Sequence, residues 1–441
     1  MTKELKLIIT PRRSALVRGH ANSVDALIRL QAPEQPKESA AKPRTKLNIA
    51  LVIDRSGSMA GEPIREAKNA AKFVVEHLGQ TDRCAIVVYD DRVDTLMPAT
   101  PVEDKNQFFN ALKSLTSRGS TDLHQGWLQG AETLAPYSSE TAISRVILLS
   151  DGNANAGLVD DDAICLQVAR LAASGVTTST LGLGRDFNER LMTSMARSGR
   201  GRCYYGETAA DLLGPFREEF DLLAAIAARK IACLLKPARD VGVEVLNGLA
   251  QDDKGRHILP DVAWNSETVL AVRLTVPAEM TQNETLFELL SVSIAAVDSD
   301  GRPIGLASDP LVLPVVDAAA YSALAEDEIV ARRFDEITAS KIQTQAREAA
   351  LNGDWAVVDK LLAEIQPLAN RNPWIAEILK EIKSLADERD VMRFSKETMY
   401  ASHSMSDRLS VISESPELVG EGSRESFLAR KLRHGKARKP H

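Results

Sequence analysis

A carboxylate and two hydroxyls stand close together in the segment Asp54-Arg55-Ser56-Gly57-Ser58, directly after the largely apolar run 48–53. Two hydroxyls that are two residues apart in a tight turn can point at one spot, and Gly57 lets the backbone bend between them. Carboxylate, hydroxyl and water oxygens are the ligands that a hard cation such as Mg²⁺ prefers. The segment therefore predicts a cation site where a strand gives way to a loop.

Two later segments supply further oxygen ligands. Gly119-Ser120-Thr121-Asp122 precedes a helical pattern and offers a third hydroxyl, and Ser150-Asp151-Gly152-Asn153 follows an apolar run and offers a second carboxylate. If the strands are neighbours in a parallel sheet, all of these loops meet at one edge of that sheet. Taken singly, each residue has a plainer explanation as a turn residue or helix cap. Taken together, they are better explained by a shared metal site.

The set Asp54, Ser56, Ser58, Thr121 and Asp151 resembles the metal-ion-dependent adhesion site (MIDAS) of von Willebrand factor A (VWA) domains. The resemblance covers roughly residues 45–225, and each position carries the residue type of the family, which implies an intact site. By this resemblance, the three hydroxyls are direct or switchable ligands, and the two aspartates act partly through metal-bound water. Mg²⁺ is the expected cation, with Mn²⁺ and Ca²⁺ as alternatives.

The resemblance implies a binding module rather than an enzyme. One coordination position of the cation is left to water, and an exposed Asp or Glu of a partner protein displaces that water. Two alternatives stay open. The chain could be a scaffold or adaptor in a regulatory complex with an AAA+ ATPase or a kinase system. It could also be a Mg²⁺-dependent phosphoryl-transfer enzyme, because Mg²⁺ beside a strand-end aspartate occurs in that class as well.

Other polar residues near the predicted site have structural explanations. We expect His124 on the surface of its helix and Asp90-Asp91 in a solvated turn. The acidic run Asp160-Asp161-Asp162 opens a helix, where the helix dipole favours negative charge. Asp122 and Asn153 are either outer partners that orient the metal ligands or caps with a purely structural role.

The segments around the site alternate between strand and helix patterns. The run 48–53 indicates a buried parallel strand, and further strands are predicted over 85–88, 146–149 and 176–181. Helical periods follow Pro63 and cover 123–134 and 163–173. This alternation predicts an α/β fold with a doubly wound, mainly parallel sheet, VWA-type or Rossmann-like, over residues 45–226.

Patterns of other kinds flank this domain. Residues 1–32 and 229–317 alternate apolar and polar residues without helix-length periods, which predicts a β-sandwich into which the α/β domain is inserted. The pattern over residues 320–390 predicts a helical hairpin region of three helices. These helices either pack on themselves or on the sandwich, or they form a docking surface for a partner helix. Residues 394–441 predict a flexible basic tail, solvated or open to phosphorylation and docking.

The composition narrows the class of protein. The chain has 441 residues and a net charge of -7, which gives no reason to expect a nucleic-acid partner. No stretch approaches the ~18 apolar residues of a transmembrane segment, and the N-terminal apolar run is too short for a signal peptide. The scattered cysteines are expected to be free thiols. Together with the resemblance to bacterial proteins that carry a VWA domain inside a β-sandwich, these features predict a cytoplasmic, bacterial protein.

Overall fold

The computed structural model describes residues 4–34, 45–150, 155–183, 188–206, 223, 225–406 and 410–411. These residues form two compact units, each with its own apolar core. The α/β unit contains the described residues between 45 and 226 and the turn 299–302. The sandwich unit contains the described residues up to 34 and those over 227–298 and 303–411.

The sandwich unit begins at the N-terminus and the α/β unit follows it in the chain. The first strands are β1 (Lys6–Pro11), β2 (Leu16–Val17) and β3 (Asn22–Gln31). The described strands of the α/β unit are β4 (Lys46–Asp54), β5 (Arg83–Tyr89), β6 (Val93–Pro101), β7 (Ala142–Ser150), β8 (Val176–Leu183) and β9 (Arg200–Gly206). Its described helices are α1 (Glu62–His77), α2 (Lys105–Lys113), α3 (Leu123–Leu134), α4 (Asp161–Ala173) and α5 (Glu189–Ser198).

The sheet of the α/β unit has the strand order β6-β5-β4-β7-β8-β9. Only β6, among the described strands of this sheet, runs antiparallel to its neighbour. A turn of three residues joins β5 to β6, and a connection that short can only reverse the chain. The predicted α/β fold with a mainly parallel sheet is confirmed.

Parallel pairing brings several strand ends to one edge of this sheet. Asp54, the last residue of β4, pairs with Tyr89 at the end of β5, and Ile53 pairs with Leu149 of β7 on the other side. The central strands are buried on both faces, which explains their continuous apolar sequences. The residues that follow these strands therefore start from neighbouring points.

Helix α3 packs closely on the sheet because glycines face it. A Cβ at Gly126 would lie 2.4 Å from the ring of Tyr89, and a Cβ at Gly130 would lie 2.3 Å from Val52 Cγ2. The carboxylate of Asp122 caps the helix by accepting a hydrogen bond from Gln125 N at 3.1 Å. The loop before α3 is therefore held against the edge of the sheet.

The sandwich unit continues after the α/β unit. Its later described strands are β10 (Ile226–Pro237), β11 (Gly242–Val245), β12 (His257–Ile258), β13 (Val262–Ala263), β14 (Ser266–Val276), β15 (Leu286–Asp298), β16 (Pro303–Ala307), β17 (Leu311–Val316) and β18 (Ser410–Val411). One sheet has the order β1-β3-β14-β11 with β18 beside β14, and the other has the order β12-β10-β15-β17-β2 with β13 beside β10 and β16 beside β15. Their apolar faces share one core.

The same unit contains the C-terminal helices. A short helix, α6 (Ala278–Thr281), lies between β14 and β15, and the described C-terminal helices are α7 (Ala318–Ser322), α8 (Glu328–Leu351), α9 (Trp355–Ala369), α10 (Pro373–Glu388) and α11 (Val391–Ser406). The prediction of C-terminal helices is confirmed. Among the described residues, no helix is long and apolar enough to cross a membrane.

The predicted flexible tail over 394–441 is wrong at its beginning, because α11 extends to Ser406. Met405 in its last turn is buried. Helix α8 caps this turn, since Arg333 Nη1 donates to Met405 O at 2.8 Å and Ser340 Oγ donates to Ser402 O at 2.8 Å. These polar contacts between distant residues give no apolar period, so the sequence pattern missed the helix. The predicted tail over 407–409 and 412–441 lies outside the described residues.

Candidate metal site at the edge of the parallel sheet

The carboxylate of Asp54 lies fully buried at the end of β4. Its Oδ1 accepts a hydrogen bond from Ser56 N at 2.8 Å, and its Oδ2 accepts one from Ser150 Oγ at 2.8 Å. Burial raises the pKa of this carboxyl group above its ordinary value, and the hydrogen bonds from Ser56, Ser150 and Tyr89 oppose that rise. In the described part of the chain, no cationic side chain pairs with Asp54.

The hydroxyls of Ser56 and Ser58 lie side by side, with their Oγ atoms 3.1 Å apart. They are brought together by a 3₁₀ turn over Gly57–Met59, which Met59 anchors by its burial. Ser58 is exposed, so this hydroxyl faces the surface. Ligand oxygens that share one octahedral Mg²⁺ lie about 3 Å from one another, because each lies ~2.0–2.1 Å from the ion at right angles to the next. The serine pair therefore has a spacing that suits a single cation.

The loop before α3 reaches the same edge through backbone hydrogen bonds. Gly57 N donates to Gly119 O at 3.1 Å, and Arg118 N donates to Arg55 O at 2.7 Å. Gly119 adopts a positive φ of 73°, which glycine accepts without strain. The segments 55–57 and 118–119 thus lie next to each other although about sixty residues separate them in sequence.

Thr121 is buried and fixed by a residue from the loop that follows β7. Thr121 N donates to Asn155 Oδ1 at 2.9 Å, and Asn155 N donates back to Thr121 O at 3.1 Å. The structure therefore brings Asp54, Ser56, Ser58 and Thr121 to one edge of the sheet. Asp151, the remaining predicted ligand, lies outside the described residues.

Charged side chains beside this edge form a closed ring. Asp90 Oδ2 accepts hydrogen bonds from Arg55 Nε at 2.8 Å and Arg118 Nε at 2.7 Å. Asp94 Oδ2 accepts from Arg118 Nη2 at 3.2 Å and also from Arg55 Nη2. The expectation that Asp90 lies in a solvated turn is wrong, because the two guanidinium groups cover it and leave it fully buried.

The ionisation of Asp90 follows from this ring. Burial alone would raise the pKa of its carboxyl group. The hydrogen bonds from Arg118 and from Arg92 N, together with the charge of Arg55, outweigh burial and lower the pKa below its ordinary value. Asp90 is therefore a buried anion that two arginines neutralise.

Other predicted residues near the site have different roles. The expectation that His124 lies on the surface is wrong, since it is buried and its Nε2 lies 2.9 Å from Gln167 Oε1. Asp160 accepts a hydrogen bond from Ala163 N at 2.7 Å and caps α4. Asn153 lies outside the described residues.

Sequence patterns did not identify Ser150 and Asn155 as partners of the site. Ser150 is the first polar residue after the apolar end of β7, and Asn155 is a lone polar residue between two alanines, so each carried only a weak signal. Their partners, Asp54 and Thr121, are 96 and 34 residues away in sequence. Only the pairing of the strands shows that they meet.

The donor set at this edge suits a hard divalent cation. The described donors are a buried carboxylate without a cationic partner and three hydroxyls on adjoining loops. Burying an unpaired charge is costly, and a bound cation would offset that cost. Among the described residues, no group of three or more His, Cys, Asp or Glu side chains could hold a metal. A metal bound here would therefore depend on hydroxyl oxygens as well as carboxylates.

Comparison with known proteins places the site within a family domain. Residues 48–218 match the family model of the von Willebrand factor type A domain. An uncharacterized protein of Synechocystis sp. is 27% identical over 286 residues, which are 62% of this chain and 66% of that protein. Inter-alpha-trypsin inhibitor heavy chain H3 of Homo sapiens is 32% identical over 184 residues, which are 39% of this chain and 21% of that protein. The chain thus spans less than two thirds of the length of these relatives.

Two solved structures share the fold over most of the chain. A von Willebrand factor type A protein from Catenulispora acidiphila has a TM-score of 0.68 and 16% identity, covering 86% of this chain and 90% of that one. The ArnB paralog VWA2 from Sulfolobus acidocaldarius has a TM-score of 0.61 and 20% identity, covering 91% of this chain and 99% of that one. At these identities the likeness concerns the fold alone.

Proposed function

We infer that the von Willebrand factor type A domain of this chain, a module for protein interaction, binds a divalent cation and uses it to bind a partner protein. Asp54, Ser56, Ser58, Thr121 and Asp151 would hold the cation. Mg²⁺ is the proposed ion, with Mn²⁺ and Ca²⁺ as alternatives. The bound cation supplies an open coordination position for a carboxylate oxygen from an exposed Asp or Glu of the partner.

The observation that carries the proposal is the buried, unpaired carboxylate of Asp54 beside two hydroxyls 3.1 Å apart. Within the described residues, nothing positively charged offsets this carboxylate. An apolar residue at this position would cost less free energy to bury, so stability alone does not explain an aspartate here. The described oxygens that would hold the cation already lie at one edge of the sheet, and Ser58 among them is exposed.

The residues around the cation have separate tasks in this proposal. Ser150 Oγ and Ser56 N orient the Asp54 carboxylate through their hydrogen bonds. Asn155 holds the backbone of Thr121 through both the N–H and the carbonyl oxygen of that residue. These hydrogen bonds would keep the Asp54 carboxylate and the Thr121 backbone in place around the cation.

The same geometry argues against the alternative of a phosphoryl-transfer enzyme. An aspartate nucleophile must be reachable by the substrate, whereas Asp54 is fully buried with a hydrogen bond on each oxygen. Arg55, the nearest candidate for phosphate binding, is engaged by Asp90 and Asp94. Phosphatase activity that requires Mg²⁺ and is abolished by Asp54→Asn would restore the enzyme alternative.

Titration calorimetry with Mg²⁺ on the full chain tests the cation site. We expect wild type to bind one Mg²⁺, and Asp54→Asn, Asp151→Ala and Thr121→Ala to lose most of the affinity. Glu103→Ala is the matched control, because Glu103 is exposed and follows β6 at the opposite edge of the sheet. Equal binding by wild type and Asp151→Ala would remove Asp151 from the site, and no binding by wild type would overturn the proposal.

Affinity capture tests the bridging role. The full chain, Asp151→Ala and Glu103→Ala would be used as baits with Mg²⁺ and with EDTA, and retained proteins identified by mass spectrometry. A partner that depends on metal, and is lost with Asp151→Ala but not with Glu103→Ala, supports a bridge to its carboxylate. If that partner is an AAA+ ATPase or a kinase, the cellular role is that of an adaptor. Retention of every partner in EDTA would place the contact elsewhere.

A further inference from the structure

We propose that Arg55, Asp90, Asp94 and Arg118 form a clamp that holds two loops of the candidate metal site in register. Asp90 and Arg118 are then positioning residues for the site, although neither supplies a ligand. One part of this inference, the effect on metal affinity, rests on the proposed function. The other part, that the clamp keeps the two loops ordered, does not rest on the proposed function.

The clamp is built from shared acceptors. Asp90 Oδ2 lies 2.8 Å from Arg55 Nε and 2.7 Å from Arg118 Nε, so one oxygen joins both arginines. Asp94 Oδ2 joins the same arginines through their Nη2 atoms. Each arginine therefore grips both aspartates with its planar fork, an arrangement with defined direction as well as charge.

Burial divides the clamp into an inner and an outer half. The side chains of Arg55 and Asp90 are 8% and 0% exposed, whereas those of Arg118 and Asp94 are 52% and 49% exposed. The inner pair is shielded from water, so its attraction is screened less than that of a surface pair. Asp90 is the shared inner acceptor and holds the ring together.

The clamp lies next to the predicted ligands in sequence and in space. Arg55 stands between Asp54 and Ser56, and Arg118 is three residues before Thr121. Arg118 N also donates to Arg55 O at 2.7 Å, which joins the two loops at the point where the side chains meet. A shift of either arginine would therefore move a predicted ligand on its own loop.

The turn after β5 serves as the base of the clamp. Asp90 O accepts a hydrogen bond from Asp122 N at 2.8 Å, and Asp90 Oδ1 accepts one from Arg92 N at 2.7 Å. A Cβ at Gly119 would lie 2.3 Å from Asp91 Oδ1, so the loop before α3 rests directly on this turn. Asp90 directly follows β5, which pairs with β4, so the clamp attaches the two loops to strands of the sheet. Loops with such attachments open locally less often than loops without them.

Hydrogen exchange of the full chain in EDTA, read by mass spectrometry, tests the clamp without metal. In Asp90→Asn, we expect faster exchange in peptides that cover 55–60 and 116–122, with the strands β4 and β7 unchanged. Glu103→Gln removes the same charge from an exposed position and should match wild type. If Asp90→Asn does not fold, Arg118→Gln serves instead, because the half-exposed Arg118 leaves less charge buried when it is removed.

Calorimetry with Mg²⁺ on the same variants tests positioning. We expect the dissociation constant to rise roughly 10–100-fold in Asp90→Asn, the range found when groups that orient metal ligands are removed. Exchange that increases evenly through the α/β unit, or not at all, would overturn the clamp. Looser loops with unchanged Mg²⁺ affinity would overturn the positioning role. If wild type binds no Mg²⁺ but the loops loosen as expected, the proposed function fails and the clamp stands.

Discussion

Ser150 and Asp54 form a residue-scale pair at the candidate site. Ser150 donates its hydroxyl proton to Asp54 Oδ2 at 2.8 Å, and both residues are fully buried. A buried carboxylate oxygen that loses its donor keeps its desolvation cost without compensation. The pair therefore affects both the stability of the apo domain and the direction of the carboxylate.

Replacing Ser150 by alanine should weaken both properties. We expect Ser150→Ala to lower the free energy of unfolding in EDTA by about 1–3 kcal/mol and to reduce Mg²⁺ affinity, as measured by urea denaturation and calorimetry. Ser139→Ala removes an exposed hydroxyl from the same unit and should change neither. Unchanged stability and affinity in Ser150→Ala would show that Asp54 does not depend on this hydrogen bond.

Helix α3 shows the importance of packing distance at the scale of elements. Its glycines at 126 and 130 let the helix lie against β4 and β5, and this distance decides where Thr121 stands. Alanine has the higher intrinsic helix propensity, by about 1 kcal/mol. In α3 the tertiary contact opposes that preference, because the ring of Tyr89 is fully buried and has no room to move.

Replacing Gly126 by alanine tests which effect is larger. The new Cβ would lie 2.4 Å from the Tyr89 ring, so we expect a net loss of about 1–3 kcal/mol by chemical denaturation. Mg²⁺ affinity should fall too, because Thr121 moves with the helix. Gln125→Ala, at an exposed position of the same helix, should stay within about 0.5 kcal/mol of wild type. A more stable Gly126→Ala would mean that helix propensity outweighs the close contact.

At the scale of the whole molecule, the N-terminal strands pair with strands that follow the α/β unit in the chain. β3 pairs with β14 from Asn22 with Val276 to Gln31 with Glu267, and β1 pairs with the other edge of β3. We propose from this pairing that the α/β domain, predicted over 45–226, is inserted into one sandwich. The predicted domain boundaries stay a proposal.

Removing residues 1–32 tests the insertion. The truncation would take β3 from the middle of its sheet and leave the hydrogen-bonding edge of β14 without its partner strand. We expect the sandwich unit to lose its cooperative transition in calorimetry, while Mg²⁺ binding by the α/β unit persists. Removal of residues 1–3 alone, which precede β1, should leave both unchanged. A sandwich that remains folded without 1–32 would contradict the proposal.

The sequence alone was sufficient for the parts that depend on local pattern and strand order. Apolar runs separated by helical periods predicted the mainly parallel sheet, because strands buried on both faces have continuous apolar sequences. The position of Asp54 after the run 48–53 predicted a site at the carboxyl edge, since parallel strands present their ends together. Whether those residues hold a metal stays a prediction.

Only the tertiary structure decided which side chains meet across long separations. The contact of Arg118 with Asp90, that of Ser150 with Asp54 and the capping of α11 by α8 join residues that are 28, 96 and 72 positions apart. Such contacts leave no periodic trace, because each depends on the distance and register of packed elements rather than on neighbours in the chain. The sequence thus indicated the mainly parallel sheet and the edge at which the candidate site is predicted, and tertiary packing decided which distant residues contact one another there.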